Sequence, residues 1–309
     1  MAIRFTFRQL EYFVGAGKAG SVTGAAEKIN ISPPSISAAI AQLENEFGVD
    51  LFVRHHAQGL SLTTGGQIFF REAKMLLAYA EGLRYVAEDI KSQVGGQLTI
   101  GCLVTLSPFI LPEIRRGFVL LYPEASVRQV EAHQVDLFQN LRRAEIDVAI
   151  TYDLELPQDI NFEPLAILPP HAIFSPEHPF AEKKSVSLQS LSELPYVLLD
   201  LPLSRDYFLS LFQKSGLSPN IAERTAHLPM VRTLVANNFG YGLLNIPSKN
   251  IHAPDGKALK SVKLDGDHRP MKLGLLTIKS DRKPRILTAF EAFCRECITT
   301  ESAPGMTKF

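Results

Sequence analysis

The sequence has no long apolar run: nothing in it approaches the ~20 residues of a membrane span. Its opening text, MAIRFTFRQLEYF, lacks the uninterrupted apolar core and small-residue cleavage site of a secretory signal. A cytoplasmic protein with no membrane partner is expected. Cysteine is scarce, at Cys102, Cys294 and Cys297 only. That excludes a disulfide framework and fits a reducing compartment. Charge of one sign is not in excess either: Lys+Arg and Asp+Glu each number 32, so the net charge is zero. Within residues 1–62, Arg4, Arg8, Lys18, Lys28 and Arg54 are balanced by Glu11, Glu27, Glu44, Glu46 and Asp50. A basic stripe, the usual footprint of a DNA-binding domain, is not evident from counting. Any nucleic-acid reading must rest on pattern.

Enzyme signatures are missing as well. There is no GxSxG, no P-loop and no HExxH, and the eight histidines are scattered. No catalytic residue, cofactor or metal is expected, and the protein is read as not an enzyme. The CREC text at 294–297 is a CxxC, but no second pair or nearby histidine completes a zinc site. Leu287, Phe290, Cys294 and Cys297 fall on one helical stripe, so these cysteines are expected to be buried and inert. Cys102 alternates within a strand and belongs to a core.

What is present is a folded chain of 309 residues, 46% apolar and 21% charged, long enough for two or three domains. Three short helical patterns fill residues 7–48. The first puts Leu10, Phe13 and Val14 on one face. The second puts Val22, Ala25, Ala26 and Ile29 on one face, with Ser21 at its N-cap. The third, NISPPSISAAIAQLENEFG, carries Ile36, Ile40, Leu43 and Phe47 on its apolar side. Ser32 can cap this helix, and proline suits its first turn, where the missing N–H has no partner to lose. The three-residue turn NIS between helices two and three makes a helix-turn-helix. Its outer face is unusual: Ser35, Ser37, Ala38 and Ala41 leave it nearly bare. Ser32, Ser35, Ser37 and Gln42 offer hydrogen bonds without bulk, and the alanines allow close approach. A recognition helix entering a major groove N-terminus first needs such a surface, and a helix N-terminus favours phosphate. An ordinary core helix with a short outer face is the alternative.

Residues 51–66 read as a small β-hairpin around Gly59, with Arg54, His55 and His56 placed to touch phosphates as a wing does. Residues 64–91 form one long helical pattern of roughly 40 Å at ~1.5 Å per residue. Phe69, Leu76, Tyr79, Leu83, Val86 and Ile90 fall on alternating three- and four-residue steps with Glu72 the only break, a heptad seam suited to pairing with a second chain. Gly95 and Gly96 mark a linker. From residue 97 the text alternates strand and helix in the βαβ rhythm of a parallel sheet, twice, suggesting two small α/β lobes. Thr105, Leu106 and Ser107 follow the first strand and precede a helix that starts at Pro108, a setting suited to a polar acceptor group; simple N-capping by Ser107 is the alternative. Tyr152 closes a later buried strand and faces the same crevice.

The order of these parts, with the text AAEKINISPPSISAAIAQLE, the later Gly and LF.R, and LTTGG, resembles the LysR-type transcriptional regulators over nearly the whole chain. Weaker matches follow in LTIG, IDVAI, HPFA and VANNFGYGLLNIP. The resemblance implies an α-helical winged helix-turn-helix domain and an α/β two-lobed effector-binding domain like a periplasmic binding protein, joined by a long linker helix. It assigns residues 1–63 to DNA binding and 64–94 to the linker and dimer helix. The effector domain is 95–300, with lobe I about 97–167 and 270–300, lobe II about 168–269, and 301–309 as a tail. It implies a sequence-specific regulator whose promoter binding or DNA bending answers to a small metabolite between the lobes. The partners implied are double-stranded promoter DNA, the effector, a homodimer assembling to a homotetramer, and RNA polymerase. By position it gives Ser32, Pro33, Pro34, Ser35, Ser37, Ala38, Gln42, Arg54, His55 and His56 to DNA. It gives Thr105, Leu106, Ser107, Gln134, Tyr152, Pro202 and Ser204 to the effector. The sequence departs from the family at Ala38 and Ala39, where Arg or Gln is common. Its wing is poor in arginine, and Tyr152 replaces a basic residue seen in some relatives, which argues against a doubly anionic effector. A small-molecule-binding module without direct DNA regulation is the runner-up reading.

Overall fold

The computed structural model describes residues 4–55, 59–89, 94–280 and 283–307, with backbone only for residues 54–55 and 81–89. The chain divides into two compact units, Met1–Ser92 and Gln93–Phe309. Among the described residues no helix is long and apolar enough to cross a membrane.

The first unit opens with α1 (Phe7–Ala19), α2 (Val22–Ile29) and α3 (Pro33–Phe47). Local chemistry sets their limits. Thr6 and Gln9 form a capping box at the start of α1: Gln9 N donates to Thr6 Oγ1 and Thr6 N donates to Gln9 Oε1. Ser21 Oγ accepts from Gly24 N at 3.0 Å to start α2, as its sequence position predicts. Asn30, in the left-handed region at φ 58°, ends it. The text GAGKAG at residues 15–20 has the spacing of a dinucleotide-binding turn, but it lies in the last two turns and C-cap of α1, not between a strand and a helix. A Cβ at Gly15 would meet Ile29 Cδ1 at 2.5 Å, and one at Gly17 would meet the Phe70 ring at 2.7 Å, so these glycines serve close packing.

The wing is β1 (Phe52–His55) and β2 (Gly59–Leu62), antiparallel. Gly59 has φ 92°, and a side chain there would strike Gly20 O at 2.5 Å. Glu44 Oε1 accepts from Leu51 N and Phe52 N, which pins the wing to the end of α3. The long helix α4 (Thr64–Asp89) follows, and Thr63 Oγ1 accepts from Gly66 N at 2.8 Å at its start. Phe13 is the centre of this unit's core: its ring meets Phe52, Phe69 and Phe70 edge-on.

The second unit runs β3 (Gly96–Leu103), α5 (Ser107–Leu121), β4 (Ala125–Ala132), α6 (Gln134–Arg142), β5 (Val148–Tyr152) and β6 (Ile160–Leu168). It continues through β7 (His171–Phe174), β8 (Ser185–Val186), α7 (Leu188–Ser192), β9 (Pro195–Leu199), α8 (Ser204–Lys214) and β10 (Asn220–Thr225). It ends with α9 (Leu228–Ala236), β11 (Gly242–Leu244), β12 (Lys260–Leu264), β13 (Met271–Ile278) and α10 (Arg285–Cys297). One five-stranded sheet has the order β4-β3-β5-β13-β6. It is parallel across β4, β3 and β5 but antiparallel at β13, so the expected parallel sheet is a mixed one. The reason is chain path: β13 re-enters from the far sheet instead of from a helix packed on its own. The far lobe holds β11-β7-β12-β8 and the parallel pair β10-β9. The chain leaves the first sheet after Leu168 and returns at Met271, and these two residues are paired in register. The two crossings therefore lie side by side and form a two-stranded hinge.

Residues 301–307, read from sequence as part of a tail, are packed. Ala303 and Met306 are buried, Thr307 N donates to Pro247 O, and Lys249 N donates to Gly305 O. Cys102 and Cys294 are buried in the core of this unit. Burial pushes both thiols far up, so they stay protonated.

Candidate functional site

On α3 the two faces separate as the residue pattern requires. Ile36, Ala39, Ile40 and Leu43 are buried in the first unit's core, while Ser32, Pro33, Pro34, Ser35, Ala38 and Gln42 are exposed. Ser37 and Ala41 are half-buried. Phe47 remains partly exposed, yet its ring packs on Phe5 and Phe69. The helix start differs from the expectation. Ser32 occupies the N-cap position but its side chain caps nothing. Pro33 and Pro34 carry no N–H, and the next two, of Ser35 and Ile36, already donate to Ser32 O at 3.0 and 3.4 Å. The Ser32 and Ser35 hydroxyls share a hydrogen bond at 2.8 Å instead. This N-terminus thus offers exposed hydroxyls, not backbone N–H groups, to a phosphate or base. Gln42 Oε1 accepts from Gln9 Nε2 at 2.7 Å, which fixes the amide on the exposed face. Arg54 and His55 lie on β1 with only their backbone described, and His56 lies outside the described residues.

In the second unit a small cavity of about 20 Å³ opens beside the hinge. Thr105, Tyr152 and Ser204, all expected there, line it together. Leu106, Ser107, Gln134 and Pro202 do not line it. Leu106 is wholly buried in the core and holds the N-cap position of α5, while Ser107, read as a cap before a helix at Pro108, is already the first helical residue. Gln134 is committed elsewhere. Its Nε2 donates to Tyr152 O and Leu154 O, and its Oε1 accepts from Thr151 Oγ1, so it braces the loop after β5. Pro202 is exposed. The remaining walls are Leu199 and Phe208, Leu228, Leu244 and Ile246, with Met271 from the hinge. Sequence reading missed these because nothing local separates a cleft-facing leucine from a core one. It also missed Asn245. That residue is 3% exposed and lines the cavity; its Nδ2 donates to Leu168 O at 2.8 Å and to Tyr207 Oη at 3.3 Å. Tyr207 Oη in turn donates to Arg269 O at 2.6 Å. Both crossing segments are thus held by side chains of the far lobe. Burial holds the Tyr207 phenol at about 12 and lifts that of Tyr152 further, so both remain neutral donors. No charged side chain lines this cavity. A larger groove of about 450 Å³, walled by Pro169, Pro247, Met306 and others, contains none of the expected residues.

Two family models match the chain: "Bacterial regulatory helix-turn-helix protein, lysR family" over residues 7–67, and "LysR substrate binding domain" over residues 91–298. The chain belongs to the LysR family of transcriptional regulators. It is 30% identical over 233 residues to the HTH-type transcriptional regulator CysB of Haemophilus influenzae, which covers 72% of this chain and 70% of that one. The crystal structure of HinK, a LysR family transcriptional regulator from Pseudomonas aeruginosa, aligns at 36% identity with a TM-score of 0.64, over 96% of this chain and 99% of that one. CbnR complexed with its target DNA shares the fold, at a TM-score of 0.68 and 22% identity, over 94% of this chain and 99% of that one.

This LysR-family regulator is accordingly a DNA-binding protein with an effector-binding domain, and its relatives regulate transcription. In its long helix, Phe69, expected in the dimer seam, is half-buried: its ring meets Phe13 and Phe47 edge-on and ties α4 to the helices before it. Leu76 and Tyr79 are exposed, at 40% and 73%. Leu83 and Val86 lie where only the backbone is described, and Ile90 is outside the described residues.

Proposed function

We propose that the regulator reads promoter DNA through the bare face of α3 and changes that binding, or the bend it imposes, when a small metabolite enters the cleft at the hinge. The observation that carries the first half is the division of α3 into one face sealed in the core and one of exposed Ser32, Ser35, Ala38 and Gln42. A helix this thin on its outer side fits close against base edges. Arg54, His55 and His56 of the wing supply the flanking phosphate contacts. Thr105, Tyr152 and Ser204 contribute the polar groups of the effector site, with Met271 at the hinge coupling lobe position to occupancy. A ligand shifts the lobes only if it binds one arrangement better than the other.

Leu76 and Tyr79, exposed and apolar on α4, support pairing of that helix with a second copy. The assembly is a dimer that associates to a tetramer in the cytoplasm and works with RNA polymerase, without catalysis of its own. Residues 1–63, 64–94 and 95–300 divide these tasks.

Footprinting of the full chain on its own upstream DNA tests the reading. Protection of an inverted repeat is expected, lost in Ser35→Arg, whose long side chain fills the bare face. A repeat protected equally by both proteins would overturn the role given to α3.

A further inference from the structure

We propose that Asn245 reads the effector, and that the cleft takes an uncharged hydrogen-bond donor on a compact apolar body, a primary carboxamide above all, in preference to a carboxylate. This deepens the proposed function and rests on its placement of the effector beside the hinge.

The amide of Asn245 cannot turn. Its Nδ2 is held by Leu168 O at 2.8 Å and Tyr207 Oη at 3.3 Å. The carbonyl end is thereby fixed as Oδ1, and no protein group among the described residues donates to it. The side chain is 3% exposed and lines the cavity that Thr105, Tyr152 and Ser204 share. A buried acceptor with no donor is a rare feature of a native fold and asks for a partner. A ligand N–H or O–H meets that demand.

A carboxylate does not. Ionised, it has only acceptors and would bring its oxygens against Asn245 Oδ1. It would also shed its water in a cleft whose lining carries no cation to replace it. A primary carboxamide has the complementary set: its N–H donates to Oδ1 while its carbonyl oxygen accepts from the hydroxyls of Thr105 or Ser204. The apolar walls, Leu199, Phe208 and Met271 among them, take the body of the molecule. The cavity volume of about 20 Å³ is close to that of one water-sized probe, so a bound molecule must be small or must part the lobes.

The same residue links occupancy to the hinge. Donation to Oδ1 polarises the amide and strengthens its Nδ2–H bonds to Leu168 O and Tyr207 Oη. Leu168 ends one crossing strand, and Tyr207 holds Arg269 just before the other. A ligand on Asn245 therefore tightens both crossings from the far lobe.

The experiment titrates the full chain, by calorimetry at pH 7.5, with two matched pairs: isobutyramide and isobutyrate, benzamide and benzoate. The amide of each pair is expected to bind at least tenfold more tightly than its acid. Asn245→Leu is expected to remove that preference, and Asn245→Ala replaces it if the leucine variant does not unfold cooperatively. Tighter binding of the acids, lost in Thr105→Val, overturns the inference and leaves the effector cleft standing. Amide binding that survives both Asn245→Leu and Thr105→Val places the molecule elsewhere and overturns the inference. No heat with any of the four overturns both the inference and the cleft itself.

Discussion

Gln9 Nε2 donates to Gln42 Oε1 at 2.7 Å, joining the capping box of the first helix to the exposed face of α3. The bond has a consequence for base reading. A glutamine that grips adenine uses its carbonyl to accept and its amide to donate. Here one of the carbonyl's two lone pairs is taken by Gln9, which orients the amide so that its N–H groups lead, and Gln42 favours acceptors such as guanine O6 and N7 or a phosphate oxygen. Gln42→Ala is expected to weaken binding to the natural site by about 1–3 kcal/mol at one base pair. Gln9→Leu frees the carbonyl and is expected to move the preference at that pair toward adenine. Competition binding against operator variants measures both, and an unchanged ranking in Gln9→Leu would refute the preset orientation.

The long helix has two jobs along its length, and they separate experimentally. Phe69 is half-buried against the core of the helix-turn-helix unit, so Phe69→Ala is expected to destabilise that unit by about 2–3 kcal/mol, below the range for a fully buried phenylalanine. Tyr79 is 73% exposed, and Tyr79→Ala is expected to leave the fold intact while weakening association. Thermal unfolding and sedimentation velocity distinguish the two. A stable Phe69→Ala chain that fails to dimerise would place Phe69 in the seam instead.

These cases mark how far the sequence carries. The three N-terminal helices, Ser21 as a cap, the three-residue turn and the hairpin were legible because each rests on a local signal: a spacing, a capping residue, a glycine. The packing of Phe69 on Phe13 and Phe47 was not legible, because a heptad step does not say whether a residue's partner lies in the same chain. The bracing bonds of Gln134 were not legible, because a glutamine at a strand's carboxyl end looks alike whether it faces a ligand or holds the loop after β5. Asn245 left no trace, since its role depends on the carbonyl of Leu168, 77 residues earlier. The mixed sheet was illegible for the same reason: the pairing of β13 with β5 and β6 is made only after the chain has built the far lobe.

Thr277 offers a test of the core on β13. It is 2% exposed, and its hydroxyl has no partner among the described residues. An unpaired buried hydroxyl costs about 1–3 kcal/mol. Thr277→Val keeps the shape and the β-branch and removes the polar atom, so a gain of about 1 kcal/mol is expected. Urea denaturation of the effector domain's transition reads it. A loss of stability would mean that the hydroxyl is satisfied by a bound water.

Acid sensitivity of the far lobe should trace to His171, the first residue of β7. The ring is 1% exposed and its pKa is lowered to about 3. Burial is the main cause, a backbone hydrogen bond at Pro169 opposes it, and the charge of Arg232 adds to the depression. The unfolded chain binds its proton with an ordinary pKa of about 6.5. Between these values the unfolded state holds a proton that the folded state does not, so stability is complete above about pH 6.5 and falls as the pH drops toward 3. By pH 5 the loss from this one group is about 2 kcal/mol. Hydrogen exchange at the β7 amides, corrected for the intrinsic pH dependence, follows this sheet apart from the N-terminal unit. The opening free energy is expected to fall by that amount between pH 7 and pH 5, and His171→Gln, which cannot take up the proton, is expected to flatten the profile. An equal fall in the variant would assign the acid sensitivity to other groups.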